Sequence, residues 1–145
     1  MGETARPFSA PVAARVEPAH FQVLLVEDEP DIRKLIAWLL EAEGFSVEQA
    51  ADGDEAAEGL KSGKYHIPDV ILLDLLMPVM SGEEFLEWKR LNSNEAIREI
   101  PVIVTTGIAE IPSEVMRQAR VVLRKPIGAD ALSRAIRTAT ERKTA

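Results

Sequence analysis

From residue 21 onward the chain alternates short blocks of continuous apolar residues with stretches in which apolar positions recur every three or four residues. Val23-Leu24-Leu25-Val26, Val70-Ile71-Leu72-Leu73, Val102-Ile103-Val104 and Val121-Val122-Leu123 are the continuous blocks, as expected of parallel strands covered on both faces. Phe45-Ser46-Val47-Glu48-Gln49-Ala50 alternates instead, which predicts an edge strand with one wetter face. Ile32, Leu35, Ile36, Leu39 and Leu40 form a helical stripe, with Pro30 near its start and Gly44 just beyond its end. Leu132, Ala135, Ile136 and Ala139 repeat that stripe near the carboxyl terminus. Residues 54–61 and 83–91 predict two further helices, and 113–118 a helix of about one and a half turns. Strand and helix thus alternate five times, which predicts a mostly parallel sheet with helices on both sides. Right-handed crossovers make this a doubly wound, three-layer α/β sandwich, whose ligands sit beyond the carboxyl ends of the strands.

Residues 1–20 lack either period and hold Pro7, Pro11 and Pro18, which predicts a mobile arm, with at most a marginal short helix over 12–16. No internal repeat is present. At 145 residues the chain has the length of one domain, large enough to bury roughly two-thirds of its unfolded surface without a staple. The absence of cysteine excludes disulfides, thiol nucleophiles, Cys-ligated zinc and iron–sulfur clusters. A net charge of -7 argues against a nucleic-acid partner. No apolar run approaches the roughly 18 residues of a membrane span, and Glu3, Arg6 and the prolines interrupt any signal-peptide core. The expectation is a soluble, cytoplasmic protein with no membrane partner.

The ends of the predicted strands carry the chemistry. The first ends in Val26-Glu27-Asp28-Glu29-Pro30-Asp31, the third in Leu73-Asp74, the fourth in Thr105-Thr106-Gly107 and the fifth in Arg124-Lys125-Pro126. Converging, they would form one pocket with two or three carboxylates, a hydroxyl and an ammonium. Close carboxylates repel unless a cation joins them, and an oxygen-only set suits Mg²⁺. A carboxylate beside Mg²⁺ and a lysine can attack phosphorus, which would make Asp74 an aspartyl phosphate. Glu29 and Asp31 read as helix-start acids, Thr105 as a strand residue, and His20 and His66 as solvated loop positions. Trp38 and Trp88 lie at the margins of their helical stripes; an exposed Trp38 would point to a protein contact.

These fragments resemble the receiver domain of two-component response regulators, over residues 21–142, with 143–145 as a tail. Val23 to Pro30 reads V-L-L-V-E-D-E-P, similar to the family's first strand with its acidic pair. Val70 to Gly82 reads V-I-L-L-D-L-L-M-P-V-M-S-G, similar to the phosphoacceptor strand and loop. P-V-I-V-T-T-G at 101–107 resembles the switch-hydroxyl strand, and Lys125-Pro126 the family's Lys-Pro pair, usually joined by a cis peptide. The resemblance implies a flavodoxin-like fold of strand order 2-1-3-4-5. It implies that Asp74 is the phosphoacceptor, that Glu27, Asp28, Asp74 and the Leu76 backbone carbonyl hold Mg²⁺, and that Thr106 and Lys125 contact the phosphoryl group. It further implies a histidine kinase or phosphotransfer protein as donor, and no enzymatic activity beyond self-phosphorylation and self-dephosphorylation. With only a few residues after the last helix, output is expected by protein–protein contact or onward relay, from a monomer or a phosphorylation-dependent dimer.

Three departures from the family pattern stand out. Val122 occupies the position of the usual aromatic switch, three residues before Lys125. The interval from Thr106 to Lys125 is a few residues short and contains Pro112, which predicts a shortened helix before the fifth strand. Leu76 and Ile108 are apolar where a water-orienting group would stand, so slow self-dephosphorylation is expected. Two other function classes are open. A pseudo-receiver would lack an acid, the acceptor or the lysine, and none is missing; an aspartyl phosphatase would need a second acid where Leu76 stands.

Overall fold

Every residue of the two central strands on one side of the sheet is buried, and this rigid centre fixes where the strand ends meet. The computed structural model describes residues 21–77 and 79–141. The elements run β1 (Gln22–Val26), α1 (Pro30–Ala42), β2 (Ser46–Ala50), α2 (Gly53–Ser62), β3 (Val70–Asp74), α3 (Gly82–Arg90), α4 (Glu95–Arg98), β4 (Val102–Thr106), α5 (Ser113–Gln118), β5 (Val121–Arg124) and α6 (Ala129–Glu141). The five strands form one parallel sheet in the order β2-β1-β3-β4-β5. The expected arm at 1–20, its short helix over 12–16 and the tail at 143–145 lie outside the described residues.

Alternation along the strands sends successive side chains to opposite layers. Leu24, Ile71, Leu73 and Val104 pack with Ala56, Leu60, Phe85 and Val115, which places α2, α3 and α5 on one face. Leu25, Leu72 and Ile103 pack with Ala37, Leu40, Leu132 and Ile136, which places α1 and α6 on the other. The stripe read on α6 is its buried face, whereas of the stripe read on α1 only Leu40 is fully buried and Ile32 and Leu35 stand exposed. β2 is the half-buried edge its alternation predicts. β5 differs from its continuous apolar pattern: it too is an edge and only half buried, because nothing pairs beyond it among the described residues.

Local chemistry sets the helix ends. Glu29 caps α1 by accepting from the Asp31 amide, with Pro30 in the first turn. Ser81 and Glu84 form a reciprocal capping box at α3. α4 has four residues and was not legible from periodicity; Asn94 caps it through the Ala96 amide. Gly82 opens α3 directly beneath β3: a Cβ there would stand 2.6 Å from Leu75 Cα and 2.7 Å from the Asp74 carbonyl oxygen. The loop after Asp74 can close this tightly only on glycine. α5 has six residues and runs almost directly into β5, the shortened helix expected.

Candidate functional site

Because the chain reverses its direction of travel across the sheet between β1 and β3, a crevice opens at their carboxyl ends. Glu27 follows β1 and is held against β2 by its amide, which donates to the Ala50 carbonyl at 3.1 Å. Asp74 is the last residue of β3. Lys125 follows β5, is joined to Pro126 by a cis peptide, and donates its amide to the Thr106 carbonyl at 2.8 Å. Its Nζ reaches across to lie 3.4 Å from Asp74 Oδ2 and 3.5 Å from Glu27 Oε1. One oxygen each from Glu27, Asp28 and Asp74 lies within 4.8 Å of the others. Four residues from three separate strand ends are therefore brought to one point, as their positions predicted.

The electrostatics of this point are costly. Glu27 and Asp74 are 2% and 5% exposed. Burial pushes the Glu27 carboxyl above its ordinary range and the neighbouring Asp74 charge pushes further; the Glu29 amide, 3.2 Å from Oε2, and the Lys125 ammonium only partly offset this. Burial likewise raises Asp74, against the pull of Lys125 and of the Leu76 amide at 3.3 Å from Oδ1. One ammonium shared between two buried carboxylates leaves a deficit that a hard divalent cation would fill, and the donors are all oxygen. The residues present fit Mg²⁺.

Thr106 is fully buried at the end of β4, where its Oγ1 accepts from the Ile108 amide at 3.0 Å. In the sheet register it is Thr105, read from sequence as an ordinary strand residue, that stands opposite Asp74. Two arginines that the sequence did not single out hold the surrounding backbone. Arg33 on α1 donates to the Glu27 carbonyl at 2.8 Å, and Arg124 donates to the Ile108 carbonyl. A helix arginine and a strand-end arginine carry no distinguishing pattern in sequence; only the fold shows which carbonyl each one meets. Leu76 is 63% exposed beside the acceptor, Val122 packs into the α2–α3 layer, and His66 is exposed in a loop.

A five-stranded parallel sheet in this order, with acids and a lysine gathered at its switch point, defines a doubly wound α/β domain built around an acidic site. The chain belongs to the response regulator receiver domain family, whose model matches residues 23–137. It is 41% identical over 106 residues, 72% of its length, to a gliding motility regulatory protein of Myxococcus xanthus, of which the match spans only 12%. It is 39% identical over 87 residues to the polar-differentiation response regulator DivK of Brucella ovis, covering 60% of this chain and 67% of that one. The receiver domain of a sensor histidine kinase from Pseudomonas aeruginosa superposes with a TM-score of 0.70 at 27% identity, covering 83% of this chain and 98% of that one. That structure carries a magnesium ion coordinated in its active-site cleft. Receiver domains are signalling modules of two-component systems that work with histidine kinases or phosphotransfer proteins, not classical enzymes. Among the described residues no helix is long and apolar enough to cross a membrane.

Proposed function

We propose that this protein is a phosphorylation switch that accepts a phosphoryl group on Asp74 from a histidine kinase or phosphotransfer protein and signals by protein–protein contact or onward relay, in the cytoplasm. The observation that carries this reading is the shared ammonium: Lys125 bridges Asp74 and Glu27 at 3.4 and 3.5 Å, with Asp28 completing the acidic set. Asp74 Oδ attacks phosphorus, the P–N bond of the donor phosphohistidine breaks, and the imidazole nitrogen keeps the electron pair and takes up a proton. Glu27, Asp28, Asp74 and the Leu76 carbonyl would hold Mg²⁺, which when bound neutralises charge on the transferring oxygens. The Lys125 ammonium stabilises the same oxygens from the opposite strand. Thr106 turns its hydroxyl toward the new phosphoryl group and releases the Ile108 amide, and the short segment from Gly107 to α5 repacks to present a changed surface. A phosphoryl group adds about two negative charges and three strong acceptors, enough to bias such a loop.

Mg²⁺-dependent labelling by acetyl phosphate tests this. Asp74→Asn abolishes the label if the reading is correct. A native protein that takes no label in saturating Mg²⁺, yet binds a partner, is instead a pseudo-receiver interaction module. Chemical shifts between Gly107 and Arg120 that stay unchanged on adding beryllofluoride would remove the proposed route of output.

A further inference from the structure

A groove lies not over the acids but beside them, between α1 and the turn that follows Lys125. It has a volume of about 470 Å³, with Ile32, Leu35, Ile36 and Leu39 of α1 on one side and Ile127 and Leu132 on the other. Glu27, Thr105 and Lys125 line it as well and supply its polar groups. Two of these are committed: the Lys125 ammonium lies 3.4 and 3.5 Å from Asp74 and Glu27, and Glu27 Oε2 accepts from the Glu29 amide. The third is not. Strand alternation puts Thr105 on the same face as Ile103, which packs in the α1–α6 layer, so its side chain points to the side that holds the groove. Thr105 is only 5% exposed. The other buried hydroxyls of the described residues all have partners: Thr106 accepts from the Ile108 amide at 3.0 Å, Thr140 donates to the Ile136 carbonyl at 2.8 Å, and Ser133 accepts from Arg137 at 2.7 Å. The Thr105 hydroxyl has none among the described residues. A buried hydroxyl left unpaired costs stability, and in the wall of an apolar groove its complement is a polar group brought in from outside.

We infer that the groove is a binding site for a small uncharged amphiphile, an aryl or alkyl body with one hydroxyl, seated so that this hydroxyl pairs with Thr105 Oγ1. Aliphatic walls with a few converging polar groups are the usual make-up of a small-ligand site, and the volume falls within the roughly 300–1,000 Å³ such sites occupy. The head group is uncharged for an electrostatic reason. An anion would face Glu27 and Asp74, and a cation would be drawn past the groove onto those same acids and Asp28. The occupant is small because a protein surface laid on α1 would cover Leu35 and Trp38, which are 55% and 65% exposed, without reaching a hydroxyl as deeply buried as that of Thr105. The site does not depend on the phosphorylation of Asp74.

A matched pair of probes tests this on the full-length, unphosphorylated protein: 4-ethylphenol and 4-ethyltoluene, which differ by a hydroxyl in place of a methyl. Thr105→Val makes the same exchange in the protein, at a strand position that suits valine, and Thr105→Ser keeps the hydroxyl. Titration of 4-ethylphenol should move the Ile32, Ile36, Ile127 and Leu132 methyl resonances saturably. Thr105→Val should weaken 4-ethylphenol about fivefold, the worth of one hydrogen bond, and leave 4-ethyltoluene unchanged or tighter, while Thr105→Ser behaves as native. Leu35→Asp, a change at an exposed position of the wall, should weaken both probes. The inference is overturned if the groove methyls show no saturable shift with 4-ethylphenol, or if Thr105→Val alters both probes alike. Groove resonances that follow protein concentration instead of probe concentration also overturn it, since the groove is then a face between copies.

Discussion

Lys125 meets Asp74 across the full width of β4: its Nζ lies 3.4 Å from Oδ2 although the two residues end strands that do not pair with each other. The cis peptide at Pro126 follows directly, and the Lys125 amide is fixed to the end of β4 at 2.8 Å. The ammonium is one-third exposed, so its worth lies less in stability than in position. Lys125→Met should slow acetyl phosphate labelling of Asp74 about a hundredfold, the usual effect of losing one preorganised charge stabiliser. Labelling within a factor of about three of native would show that Lys125 plays no part in transfer.

Asp74 itself should lower the stability of the metal-free protein. Its folded carboxyl titrates above the unfolded value of 3.8, chiefly because it is buried. Between those two pH values the folded chain holds a proton that the unfolded chain has lost, so stability falls as pH rises through the window. Asp74→Asn removes that penalty. Its melting temperature at pH 7 without metal should exceed native by about 3–6 °C, with a smaller decline between pH 4 and 7. Mg²⁺ should raise the native melting point more than that of Asp74→Asn. A variant that melts at or below native, with a parallel pH profile, contradicts the burial argument.

The sequence carried most of this site because its parts obey strong local rules. A continuous apolar run can only be a buried strand or helix, and the charged residues that close it fall at the strand's carboxyl end, which is how Glu27, Asp74 and Lys125 were legible. α4 was not, since four residues are too few to show a period and its cap at Asn94 resembles any loop asparagine. Neither was the pairing of Arg33 with the Glu27 carbonyl or of Arg124 with that of Ile108, because backbone acceptors leave no trace in side-chain pattern. β5 was read as fully covered; its neighbours in space, not its own residues, decide that it is an edge.

Away from the site, Lys89 of α3 is buried, and its Nζ donates to the Arg98 carbonyl at the end of α4, 2.7 Å away. Burial lowers its pKa to about 8, with Glu99 pulling it up and Arg120 pushing it further down. From about pH 8 to 10.5 the unfolded chain keeps a proton that the folded chain has lost, so this residue makes stability rise with pH. Across that window the difference in unfolding free energy between native and Lys89→Met should change by about 1.4 kcal/mol per pH unit. Parallel curves from denaturant titrations would remove the assignment.

Val79 lies in the loop after Asp74 with φ 68°, a left-handed conformation that a β-branched residue rarely adopts, and it is 79% exposed. No packing compensates at so exposed a position. Val79→Asn should stabilise the protein by about 1 kcal/mol, seen as a higher midpoint at unchanged slope in urea. An unchanged or lower midpoint would show that the valine side chain makes a contact outweighing its backbone strain.

The lifetime of the phosphoryl group depends on what can orient water beside it. Leu76, two residues after Asp74, is 63% exposed and apolar, and the Ile108 peptide is held at both its amide and its carbonyl by Thr106 and Arg124. Neither Leu76 nor Ile108 offers a side chain that could hold an attacking water in line with the Asp74 acyl phosphate. Self-dephosphorylation should therefore be slow, and Leu76→Asn, which supplies both a donor and an acceptor at that position, should speed it about tenfold or more. Loss of radiolabel from the isolated phosphoprotein in Mg²⁺ measures this directly. A native lifetime of seconds that Leu76→Asn leaves unchanged would mean that water is already positioned by a group other than these two side chains.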